Sequence, residues 1–142
     1  MNAQFDLDFG DPSHGGIFFV TSEDLDPLAE AAGMEGLRVC RASLAGYASR
    51  DTLYDQLTVA LRLPADFGRN WDALADSVRD LSWLKATGVI LLLDRAEDMR
   101  EASEEDFDTL LDILEEAVDY WQDEGMPFFV FFALPESAFD ET

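Results

Sequence analysis

Apolar residues along this chain fall into short continuous runs separated by longer periodic stretches. The runs are Ile17 to Val20, Val89 to Leu93 and Phe128 to Phe132, each preceded by glycine or proline, and the apolar-leaning segment Leu37 to Arg41 reads as a further strand. Five consecutive apolar residues leave no side for solvent, so the last two runs predict strands covered on both faces. Between the runs, apolar residues return every three or four positions. Leu25, Leu28, Ala29 and Ala32 predict a helix capped by Thr21 or Ser22 and ended by Gly33. Leu53, Tyr54, Leu57, Ala60 and Leu61 predict another, opened by Ser49 or Asp51 and limited by Pro64. Trp71, Leu74, Val78 and Leu81 predict a third behind an Asn70 cap. Phe107, Leu110, Leu111, Leu114, Val118 and Trp121 predict a long fourth that ends near Gly125, after an acidic connection. Strands alternating with helices argue for an α/β fold: a single-layer, mainly parallel β-sheet flanked by helices, because each helix supplies the crossover that parallel neighbours need.

Residues 1–16 mix acids with Gly10, Pro12, Gly15 and Gly16 and show no period, so they read as a flexible leader. The rest, 17–142, is long enough for one ordinary core and too short for two comfortable domains. The start lacks a positive region followed by an apolar stretch, so no secretory signal is expected. The longest apolar run reaches about half of a bilayer span. A soluble, cytoplasmic protein is the expectation. Cys40 has no second cysteine to pair with and reads as a small buried hydrophobe.

Charge narrows the class of partner. Against 31 acids stand 9 bases, a formal net charge of −22, which opposes binding to nucleic acid backbones or anionic membranes and favours a basic protein. Catalytic and cofactor chemistry find little support. His14, the only histidine, sits in the glycine-rich leader, where nothing fixes its ring as a general base needs. One histidine and one cysteine do not furnish a zinc site, and no phosphate-binding or dinucleotide glycine pattern is present, so neither metal nor cofactor is expected. The acids from Asp94 to Asp108 could ligate hard cations, but they lack the EF-hand spacing and suit a solvated face or a helix N-terminus. Trp83, Trp121 and the phenylalanines suit a core better than a base-stacking platform, which works in a cationic groove.

The stretch from Leu63 to Val78 exceeds what a generic fold requires. Pro64 and Gly68 mark a turn, Asn70 caps the helix, and Asp72, Asp76 and Asp80 recur four apart on a face away from Leu74 and Val78. Like charges at that spacing cost roughly 0.2 to 0.5 kcal/mol per pair, and only Asp72, in the first turn, is well placed for the helix dipole. Two readings remain open: an ordinary solvated face, or anions displayed to a cationic partner. The run Leu63-Pro64, Phe67-Gly68, Asn70-Trp71-Asp72-Ala73-Leu74 and Asp76 resembles the barstar family of intracellular ribonuclease inhibitors, more loosely from about Leu37 to Leu134.

That resemblance implies a barstar-like domain with an added N-terminal strand–helix unit. It implies an inhibitor, antitoxin or immunity protein that plugs the active site of a basic cytotoxic ribonuclease and performs no chemistry. Asp76 would stand in for a substrate phosphate, with Asp72 supporting it and Phe67, Gly68, Asn70 and Trp71 shaping the contact loop. Asp66 replaces an aromatic contact of the type member, and Ala75 replaces a tryptophan. Asp80 extends the row, and Glu116, with Glu115 as competitor, matches a contact acid on the long helix. Two other readings stay beside it: an acidic nucleic-acid mimic that sequesters another basic protein, and a hydrolase using Asp72 and Asp76 as an acid–base pair.

Overall fold

Two central strands, apolar at nearly every position, force layers onto both sides of one sheet. The computed structural model describes residues 7–139. Strands β1 (Gly16–Thr21), β2 (Arg38–Ser43), β3 (Val89–Asp94) and β4 (Phe128–Leu134) lie in the order β1-β4-β3-β2, every neighbouring pair parallel. Val89 to Leu93 and all of β4 are buried, as the continuous apolar runs require. Alternate side chains then feed two cores. Leu91, Leu93, Val130 and Phe132 join the larger one, beneath α2 (Arg50–Leu61), α3 (Trp71–Val78) and α5 (Glu104–Glu124). Ile90, Leu92, Phe129 and Phe131 face the smaller one, closed by Leu25, Leu28 and Ala32 of α1 (Leu25–Met34). The fold is the α/β arrangement expected, with β1 and α1 as the added N-terminal unit.

Local boundaries differ where short-range chemistry overrides the apolar period. Gly33 lies inside α1, and the reversal falls on Gly36, whose φ of 89° suits a residue without a Cβ. Thr21 and Asp24 bond across a single 3-10 turn that precedes α1. α3 stops at Val78; Leu81, expected as its last apolar position, has φ 52° and packs into the core from a turn. Within the acidic connection a further helix forms, α4 (Ala96–Ala102), with Glu97 and Asp98 at its positive end. It buries only Ala96 and Met99, too few apolar positions to register as a period. Of the leader expected at 1–16, residues 1–6 lie outside the described residues. From Leu7 onward the chain lies along the α1 face, with Phe9 buried and its ring edge-on to Phe129 at 4.9 Å.

Two polar features sit inside this frame. Asp106, at the start of α5, is buried and has two donors: the Tyr47 hydroxyl at 2.9 Å and Arg50 Nε at 3.2 Å. It ties α5 to the loop before α2 and to the first turn of α2. Cys40 is buried on β2, and desolvation pushes its thiol from the ordinary value near 9 up to about 11, against the pull of Arg38 and Arg62.

Replacing Tyr47 with Phe removes a charge-assisted hydrogen bond and leaves a buried carboxylate oxygen unpaired; a loss of about 2 kcal/mol is expected, read as a lower urea midpoint at unchanged slope. Because burial raises the Cys40 pKa, its contribution to stability is intact below the unfolded value near 9 and falls as pH rises through 9 toward 11. At pH 8, therefore, a thiol reagent such as dithionitrobenzoate should modify Cys40 only after unfolding in urea; fast labelling of the folded chain would contradict its burial.

Candidate functional site

The segment between α2 and α3 is braced before it is exposed. Arg62, in the left-handed region, ends α2, and a turn closes where Phe67 N–H donates to the Pro64 carbonyl at 2.9 Å. Phe67 is half-buried, its ring edge-on to Tyr54 of α2 at 5.8 Å. Gly68 lets the loop pass close to α3: a Cβ there would sit 3.3 Å from the Ala73 Cβ, a tight contact that a small shift must relieve. Asn70 then caps α3 as expected, its Oδ1 accepting from Ala73 N–H at 2.7 Å while its Nδ2 donates to the Gly68 carbonyl. Helix α3 begins at Trp71, whose indole meets Tyr54 edge-on at 6.0 Å.

Two arginines hold this loop against α2, and the apolar pattern gave no sign of either. Arg69 takes a left-handed conformation, φ 53°, and its Nη2 reaches Asp51 at 3.1 Å and Asp55 at 3.0 Å. The same guanidinium lies 5.7 Å from the Tyr54 ring centre, and its two acid partners hold it more firmly charged. Arg50, fixed by Asp106, lies 5.4 Å above the Trp71 ring. The readable signal for Arg69 was the pair Asp51 and Asp55, four apart on one face of α2.

The acids expected to form the site separate into four groups. Asp72 and Asp76 are exposed on α3, opposite its buried Leu74 and Val78. Asp72 has no ion-pair partner among the described residues. Asp76 pairs with Arg79 one turn on, Oδ1 to Nη2 at 3.2 Å, with its side chain 80% exposed. Asp80 has left the helix: it belongs to a turn, where its Oδ1 accepts from Ser82 N–H at 3.2 Å, so it does not continue the row. Asp66 is exposed in the loop, and Ala75 is half-buried against the larger core. Glu115 and Glu116 are both exposed on α5. That helix is bound to the end of α3 through Trp121 Nε1, which donates to the Val78 carbonyl at 2.8 Å.

The result is a short anionic ridge on a helix whose two ends are bonded to neighbouring elements. Asn70 and Arg69 secure the entry, and Trp121 secures the exit. Such a surface can present fixed negative charge to a cationic cleft. Among the described residues no group of three or more His, Cys, Asp or Glu is placed to hold a metal ion, and no helix is long and apolar enough to cross a membrane.

Comparison with known proteins bears on what the ridge is. No curated protein matches the chain. Among solved structures, the ORC2 protein of Aeropyrum pernix, in its ADPNP–ADP complexes, is similar at 20% identity and a TM-score of 0.54. The match covers 89% of this chain but 36% of that one, a likeness of fold alone. The family model described as Barstar (barnase inhibitor) matches residues 37–133. That span takes in α2 to α5, strands β2 and β3 and nearly all of β4, and the Asp66 to Asp80 stretch lies inside it. Covering well over half of the sequence, it places β1 and α1 before its start, and the chain belongs to the barstar (barnase inhibitor) family.

Proposed function

We propose that this protein inhibits a basic ribonuclease by occluding its active site with the ridge of α3, and that it carries out no chemistry itself. The observation that carries the proposal is the exposure of Asp72 and Asp76 on a helix anchored at both ends, within the segment matched by the inhibitor family. Asp76 takes the place of a phosphate among the enzyme's cations and Asp72 supports it. Phe67, Gly68, Asn70 and Trp71 fix the approach of the loop, and Asp66 and Glu116 extend the contact on either side. The role is that of an antitoxin or immunity protein acting in the cytoplasm.

The physics has two parts. A net charge of −22 steers a cationic enzyme toward the chain and raises the association rate. Once docked, a carboxylate with its hydrogen bonds satisfied among the enzyme's cations slows dissociation. Preorganisation favours the complex further, because the backbone of α3 does not have to be ordered on binding.

Asp76→Ala is expected to lose about 2 kcal/mol or more of binding free energy, the range of an interface hot spot, with its melting curve little changed. Asp76→Asn should lose most of the same affinity, since charge rather than shape is at issue. Isothermal titration against a basic ribonuclease, barnase being the available probe, checks both. Wild-type affinity in the two variants would remove Asp76 from the interface. An alanine scan that finds many surface acids contributing evenly would favour a diffuse nucleic-acid mimic instead.

A further inference from the structure

The ridge contains a cation of its own. Arg79 follows the last turn of α3 and is doubly held: Nε donates to the Ala75 carbonyl at 3.1 Å and Nη2 to Asp76 Oδ1 at 3.2 Å. The carbonyl is one of those left without an intrahelical partner at a helix C-terminus, where a positive side chain is also favoured by the dipole. The guanidinium is thereby parked beside one oxygen of Asp76, while Asp76 Oδ2 has no partner among the described residues. One turn earlier, Asp72 has no cation among the described residues. The two acids of the ridge are therefore not equivalent: one is bare and the other is half-neutralised from within the chain.

From this pairing we propose that Arg79 is an intramolecular competitor for the partner's cation, occupying Asp76 in the free protein and exchanged for an enzyme side chain on docking. This rests on the inhibitor reading above and concerns how that same site chooses its partner. A single ammonium can approach Oδ2 and leave Arg79 in place. A guanidinium fork needs both oxygens and must displace Arg79. The exposed Asp76–Arg79 pair is weak enough to open, since such surface pairs contribute little to folding. Arg79 also places a positive charge where a cationic cleft arrives, so it lowers the affinity for a partner that offers only one cation. Selectivity here comes from a repulsive element beside an attractive one.

The test is a mutant cycle with barnase as the probe, by stopped-flow association and calorimetry at low salt, on wild type, Arg79→Ala, Asp76→Ala and the double variant. Arg100→Ala serves as the control for net charge: Arg100 is exposed on α4, forms no ion pair among the described residues, and its loss changes the formal charge by the same amount. Arg79→Ala is expected to bind about three- to tenfold tighter than wild type, the effect of removing one unit charge within a few ångströms of the contact in a largely aqueous setting. Arg100→Ala should change affinity less than twofold, and the gain from Arg79→Ala should vanish in the Asp76→Ala background. Equal or weaker binding by Arg79→Ala, with Asp76 still required, overturns the competitor role alone. Wild-type affinity in Asp76→Ala, or no complex with any of the five proteins, overturns the site reading and the competitor with it.

Discussion

Strands β3 and β4 tolerate water on neither side, and the architecture answers that constraint. Burying one valine, isoleucine, leucine or phenylalanine side chain is worth roughly 1.5 to 3 kcal/mol, and these two strands bury eleven such groups. The covering layers follow: α1 with Phe9 on one face, and α2, α3 and α5 on the other. Helix α3 is laid down because Leu74 and Val78 belong to the larger core, and its orientation turns Asp72 and Asp76 outward. The repulsion between those acids, a few tenths of a kcal/mol, is small against the burial beneath them. A well-covered sheet lets a short helix display a charge pattern that an isolated peptide of eight residues could not hold.

Electrostatics then sets two of the nine cations to bracing the loop before α3. Arg50 and Arg69 act as struts: each bonds a carboxylate and sits over an aromatic ring, which fixes the loop from Pro64 to Asn70 against α2. Asp106 is the buried counterpart, an acid satisfied by Tyr47 and Arg50 rather than left to repel its neighbours. Most other acids are solvated, and together they make a long-range negative field. The ridge on α3 adds a local concentration of charge to it. Its rigidity is set by Asn70 at one end and by the Trp121–Val78 bond at the other.

The fold was legible in the sequence where burial alone decides. Val89 to Leu93 and Phe128 to Phe132 have no solvent face, and the long stripe from Phe107 to Trp121 matches α5. Asn70 could be recognised as a cap because the chemistry of that position is local. Boundaries set by single-residue geometry were not legible. Leu81 keeps the helical spacing yet takes a left-handed turn, which moves Asp80 off the row, and α4 hides in an acidic stretch because two buried residues make no period. The role of Arg50 depends on Asp106, far away along the chain, so spacing could not reveal it, whereas Asp51 with Asp55 and the three-residue step from Asp76 to Arg79 left partial signals for Arg69 and Arg79. The segment that carries the family likeness was visible from its residues, whereas the choice of one Asp76 oxygen by Arg79 is set by side-chain geometry.

Occupation of a ribonuclease cleft in place of RNA is the central claim, and the pattern of inhibition tests it most directly. Initial rates of fluorogenic RNA hydrolysis by barnase, measured at several RNA concentrations and increasing amounts of the chain, separate the possibilities. Displacement of substrate predicts competitive inhibition, with kcat preserved and apparent KM rising linearly with the free chain. Inhibition that lowers kcat at unchanged KM, or no inhibition with the chain in excess, would contradict it.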